Sequence, residues 1–310
     1  MKLECIESPR RQGNPFRSHR LVGCVACAVL ALLPMGQALA AGATPVALPF
    51  TTNADGMVVL PAMLGSDRPI HVILDTGAGL DVLASSLVAK VQGKPAGQFT
   101  GFRMFGDRLS LPLFVIPELT VGPVRKSQVV ISSWDVLDQT HDDGIIAARD
   151  LRSQPFTIDF PGKIVVFETD SSLAERRKLG KVASLALDDQ RDVALDLFAR
   201  FLIGDQPALC SVDTGSPGTT VSTRFMAPLG VDPASPDVKK QERRAVESGA
   251  TITRYWTNVP QLALAEAPQV ASLHPRVSFA DIIYDCVVGL DFLHDRVLTL
   301  DIARKQMIVR

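Results

Sequence analysis

Two short stretches of this chain carry the residues most able to do chemistry. Asp75-Thr76-Gly77-Ala78-Gly79 and Asp213-Thr214-Gly215-Ser216-Pro217 each follow an apolar run, Val72-Ile73-Leu74 and Cys210-Ser211-Val212. A single Asp-Thr-Gly is little more than a turn signal. Two carboxylates brought within a few ångströms of each other are more than that. They do not readily both ionise, so they share one proton and behave as an acid/base pair. Such a pair can make a water nucleophilic and supply an acid to a carbonyl oxygen. The neighbours suit the same picture, because Gly77 and Gly215 permit a tight backbone approach.

The elements that would position these residues repeat as well. Upstream of Asp75 stand Met57–Leu64, a turn at Gly65-Ser66-Asp67 and Ile70–Leu74. Upstream of Asp213 stand Val193–Ile203, a turn at Gly204-Asp205 and Ala208–Val212. Downstream, Asp143-Gly144-Ile145-Ile146-Ala147 parallels Asp285-Cys286-Val287-Val288-Gly289. Thr157-Ile158-Asp159-Phe160 then parallels Thr299-Leu300-Asp301-Ile302, and Lys163 falls in register with Lys305. Self-similarity of this length means one supersecondary plan used twice.

On these residues the chain resembles the two-lobed aspartic proteases of the pepsin/retropepsin type, specifically a bacterial retropepsin-like aspartyl protease. The resemblance covers nearly everything after the leader. It implies a mainly β fold of two homologous barrel lobes, spanning 45–169 and 183–310, joined by a linker at 170–182, with a cleft between them. It implies catalytic roles for Asp75 and Asp213, supporting loops at Thr76, Gly77, Ala78, Thr214, Gly215 and Ser216, and hydroxyls of Thr76 and Thr214 that lock the loops together. It places a flap over the cleft in the hairpin between Gln98 and Phe114, with Phe102, Phe105 and Gly106. The single-chain pepsins carry a tyrosine in that flap, and this hairpin has none. It also brings the strands of Cys210 and Cys286 together, either as a disulfide or as two buried thiols.

The activity implied is aspartic endopeptidase cleavage of peptide or protein substrates, without cofactor or metal, by a monomer. One departure keeps an alternative open. The family's glycine after the hydrophobic pair is kept as Gly289 but replaced by Ala147. The alternative is a non-catalytic retropepsin-fold protein that binds extended peptide by strand pairing. Under a further hypothesis, a Ser216 hydroxyl donating to Asp213 places the shared charge on Asp213 and the proton on Asp75. Other chemistries lack their motifs: there is no Gly-x-Ser-x-Gly and no His-Glu-x-x-His.

Residues 1–40 read as an export leader. Lys2, Arg10, Arg11, Arg17 and Arg20 precede the apolar run Leu21–Leu33, and Ala38-Leu39-Ala40 forms a small-residue cleavage site. The expected location is periplasmic or secreted, with an uncleaved leader acting as an anchor as the other outcome. The leader holds five basic and two acidic residues against a net charge of −1 for the whole chain, so the remainder stands near −4. That balance argues against nucleic acid and anionic membranes as partners.

Overall fold

The computed structural model describes residues 44–244, 249 and 251–310; the leader and its cleavage site lie outside the described residues. The fold is mainly β, with one fifteen-stranded and one eight-stranded sheet among these residues.

The sequence repeat is a repeat of strand plan. Val58–Leu64 and Arg68–Asp75 form an antiparallel hairpin in register from Val59↔Ile73 to Leu64↔Arg68. Its turn uses Gly65 at φ 68°, a left-handed conformation that costs glycine little. Burial alternates along Val58–Leu64, as a strand with one covered face requires. Gly144–Ala147 then lies parallel to Arg68–Asp75, with Asp75 opposite Ala147, and antiparallel to Val82–Ala84. The second half repeats this order. Ala194–Ile203 pairs with Gln206–Val212, which lies parallel to Cys286–Val288, itself antiparallel to Thr220–Ser222. Asp143 and Asp285 play matching parts at the ends of the two parallel pairs. Each accepts a backbone N–H at 2.8 Å, from His71 and Leu209 respectively.

The halves are joined through strands that the sequence reading had already aligned. Phe156–Asp159 pairs with Ile164–Phe167 on one side and with Val297–Asp301 on the other. Thr157 sits opposite Thr299 and their hydroxyls meet at 2.7 Å, both fully buried. Lys163 and Lys305 both take left-handed turns, at φ 51° and 54°. A continuous apolar core runs beneath these strands and includes Phe156, Phe167, Phe201 and Phe292.

The expected linker at 170–182 differs from what forms. The polar stretch after Glu168 is a helix, Asp170–Leu179, because Thr169 and Ser172 form a reciprocal capping box at its start. Ser85–Lys90 is a helix, whereas the matching position in the second half holds a single 3-10 turn at Thr223–Phe225. The charged run Lys239–Arg244 is a strand whose backbone is satisfied by Thr251–Asn258 while its side chains face solvent.

Candidate functional site

The two Asp-Thr-Gly loops meet. The Thr76 N–H donates to Thr214 Oγ1 at 3.0 Å, and the Thr214 N–H donates to Thr76 Oγ1 at 3.1 Å. Each hydroxyl passes its own proton across to the opposite strand, Thr76 to the Val212 carbonyl at 2.6 Å and Thr214 to the Leu74 carbonyl at 2.7 Å. Both threonines are fully buried, so these bonds are made where an unmade one would be costly. Each glycine lies against the other loop's acid. A Cβ on Gly77 would run into the Asp213 carboxyl group, and one on Gly215 into that of Asp75.

The carboxyl groups of Asp75 and Asp213 lie within hydrogen-bonding reach of each other. Burial, followed by the charge on Asp75, pushes Asp213 well above the usual carboxylate range. Burial also raises Asp75, but the hydrogen bond from Asp213 and the N–H groups of Gly77 and Ala78 hold it down. Burial thus raises both acids, and the pair shares one proton. The asymmetry expected from Ser216 finds no geometric support. Its hydroxyl donates to the Gly218 carbonyl at 2.9 Å instead of to Asp213, whereas Asp75 Oδ1 accepts two backbone N–H groups.

Ala147 is accommodated. It is fully buried, keeps its place opposite Asp75, and donates its N–H to Asp81 Oδ1 at 2.8 Å. The second half has no such room, since a Cβ on Gly289 would lie 2.6 Å from the Ser216 carbonyl oxygen.

The loops floor a cleft of about 660 Å³. Gly77–Leu80 and Asp213 line its base, and Phe99–Met104 its roof. The hairpin formed by Lys94–Phe102 and Arg108–Val121 thus stands over the paired loops. Phe102 is largely exposed and faces the cleft, whereas Phe105 and Gly106 turn toward the second half. The Ile283 N–H donates to the Met104 carbonyl at 2.9 Å. The Arg254 guanidinium lies 5.4 Å over the Phe105 ring. Tyr255 lines the smaller cavity beside Phe105, and Trp256 carries Arg276 over its ring at 5.5 Å. An exposed cation–π contact is worth about 0.5–1 kcal/mol. Arg254→Ala is therefore expected to speed hydrogen exchange at the Ile283 amide by about twofold to fivefold. An unchanged rate would mean that the stacking does not hold the hairpin down.

Two acidic groups at the cleft wall escaped the sequence reading. Asp188 and Asp196 sit opposite each other on neighbouring strands. Burial, then the charge of Asp188, pushes Asp196 up to about 6. Tyr284 beside them is pushed up to about 12, first by burial. Only the pairing register brings these residues together. Among the described residues, no group of three or more His, Cys, Asp or Glu side chains is placed to hold a metal ion.

No model of a known protein family matches the chain, nor does any curated protein. Among solved structures it is similar to conglutin gamma, a basic 7S globulin from lupine seeds, at TM-score 0.50 and 11% identity, over 86% of this chain and 94% of that one. It also matches basic 7S globulin from soybean, at TM-score 0.49 and 10% identity, over 86% of this chain and 96% of that one. A structure described as edgp matches at TM-score 0.49 and 8% identity, over 86% of this chain and 94% of that one. The lupine globulin bears on the fold alone, and nothing is built on the other two.

The lupine globulin is not described as a protease, so the fold does not bring a protease activity with it. The expectation that the chain is an aspartic protease of the pepsin/retropepsin type is corrected accordingly. With it go the aspartic endopeptidase activity and the reading of the chain as a hydrolase. The physical reason is that the repeated motif has structural work of its own. Its threonines lock two loops, its glycines let them touch, and its carboxylates satisfy the N–H groups of their own turns. A motif that builds a loop pair specifies a scaffold, and function has to be argued from the site.

Proposed function

We propose that this is a non-catalytic, retropepsin-fold peptide-binding protein, in which two homologous β lobes, 45–169 and 183–310, hold an extended peptide in the cleft between them. The observation that carries this reading is the cleft of about 660 Å³, floored by a loop from each half and roofed by a hairpin. Its walls mix apolar groups such as Phe99 and Leu111 with polar ones such as Gln190 and Ser211. That is the composition of a site that binds shape and backbone together. An extended segment can add its main-chain hydrogen bonds to strand edges and place alternate side chains in pockets.

The protein acts, on this reading, as an exported monomer whose partner is a peptide or an extended protein segment and not a nucleic acid. The Cys210–Cys286 disulfide supports export, because such bonds persist in oxidising compartments. No helix among the described residues is long and apolar enough to cross a membrane.

The test is to incubate the chain from residue 41 onward with a random peptide library. Bound and free peptides are then analysed by mass spectrometry. Saturable retention of intact peptides is expected. Failure to retain any peptide overturns the reading, and so does cleavage that disappears in Asp75→Asn.

A further inference from the structure

Beneath the first-half loop lies a buried acidic pair to which the cleft reading gives no role. Asp81 is wholly buried. Its Oδ1 accepts the Ala147 N–H at 2.8 Å, but no N–H or O–H donor among the described residues reaches its buried Oδ2. The group within hydrogen-bonding reach of Asp81 is the carboxyl of Asp150. Asp150 already has two cations, Lys126 Nζ on Oδ1 and Arg149 Nη2 on Oδ2, each at 2.7 Å. Leu119, Val121, Val129 and Ile146 close the surroundings of the pair.

The second half shows what this position does. Asp81 stands six residues after Asp75, and Thr219 stands six after Asp213. The Gly289 N–H donates to Thr219 Oγ1 at 3.5 Å, as the Ala147 N–H donates to Asp81. The Thr219 hydroxyl then donates onward to Asp291 Oδ1 at 2.7 Å. A hydroxyl can accept with its oxygen and donate with its proton; a carboxylate can only accept, and a carboxylic acid does both.

We propose that Asp81 is a protonated carboxylic acid in the folded protein, donating from Oδ2 to the Asp150 carboxylate, and that this bond is a pH-sensitive strut beneath the Asp75 loop. Its proton stands in for that of the Thr219 hydroxyl. When pH rises far enough to release the proton to solvent, two carboxylates face each other in an apolar enclosure. The strand end bearing Ala147, and with it Asp75 opposite, then loses its brace.

The electrostatics agree with the geometry. Burial first, then the charge of Asp150, pushes Asp81 well above the usual range, while the Ala147 N–H and Arg149 pull the other way more weakly. Against the upward push of its own burial, Asp150 is held far below that range by the Asp81 bond and by Arg149 and Lys126. A group whose pKa is raised in the folded state binds its proton more tightly there than when unfolded. Its stabilisation is complete below the unfolded value, near 3.8, and is lost as pH rises toward the folded value.

The test reads Asp81 directly and needs no peptide. In the full chain, the side-chain carboxyl carbon of Asp81, assigned by through-bond correlation to its own β-protons and backbone, is followed by NMR from about pH 4 to about pH 8. It is expected to remain in the protonated position well above the pH at which exposed aspartates titrate. Asp81→Asn offers an acceptor and a donor at every pH, and Asp81→Thr copies the second half. Both are expected to lose less of their thermal midpoint than the unmutated protein does over that range. The slope that remains belongs to Asp75, Asp213 and Asp196, which are also raised. Titration of Asp81 in the ordinary range overturns the proposal, as does a folded Asp81→Asn with an unaltered slope. If the variants fail to fold, the carbon titration decides alone. None of these readouts depends on the cleft binding peptide, so the two readings fail separately.

Discussion

Gly215→Ala is expected to destabilise the protein by about 3 kcal/mol and to abolish peptide retention, since overpacking a closed site costs about 1–3 kcal/mol and more where backbone must yield. The added methyl would occupy the space of the Asp75 carboxyl group. A flexible side chain could swing aside, but this one is pinned. Asp75 Oδ1 accepts the N–H groups of Gly77 at 2.8 Å and Ala78 at 3.0 Å, and the carboxyl shares a proton with Asp213. Moving it breaks those bonds; moving the Gly215 backbone strains the threonine lock next to it. Gly77→Ala should cost a similar amount, because its Cβ meets Asp213 in the same way. Gly218→Ala is the control. Its nearest neighbour is Asp291 Oδ2 at 3.6 Å, an ordinary contact, so stability should change little. Denaturant unfolding of the three variants decides the matter. Gly215→Ala as stable as Gly218→Ala would show that the loops are not in the close contact described.

Much of this arrangement was legible because a repeat is a relation within one sequence. Matching Asp75 to Asp213 and Ala147 to Gly289 aligned the segments that pair in parallel, Asp75 opposite Ala147 and Cys210 opposite Cys286. Thr157 and Thr299 were paired in sequence and prove to be paired in space. The same comparison, carried six residues beyond each aspartate, aligns Asp81 with Thr219 and could have exposed the buried acid.

What the repeat could not supply is whatever breaks it. The Asp188–Asp196 pair and the Ile283–Met104 contact have no sequence equivalents to compare, and each depends on different elements meeting in space. The protease reading went astray at a different level. The motif correctly predicted two loops that lock and two acids that meet, but those features are consequences of a scaffold. Whether a bound peptide is cut depends on water and substrate geometry, which the repeat does not encode.

Removing the Cys210–Cys286 bond is expected to have an effect at least as large as the glycine change. The two cysteines are register partners on adjacent parallel strands, with Cα atoms 4.5 Å apart, and both are fully buried. They are separated by 76 residues, so the bond closes a long loop of the unfolded chain. On the chain-entropy model a loop of that size is worth roughly 4.5 kcal/mol, and losses of about 2–5 kcal/mol are usual. The loop spans most of the second half, including Asp213 and the strands that carry its lock, and Cys210 stands three residues before Asp213. Two effects must be separated, because replacing both cysteines also removes buried sulfur atoms, which pack as small apolar groups. Comparing oxidised with reduced unmutated protein keeps that packing nearly constant. Reductant should lower its unfolding midpoint in denaturant by the full amount, while Cys210→Ala/Cys286→Ala should start low and ignore reductant. Mass spectrometry of alkylated, unreduced protein supplies the covalent check. Two alkylated thiols at these positions, with a midpoint indifferent to reductant, would return the pair to buried thiols and leave the second half stabilised by packing alone.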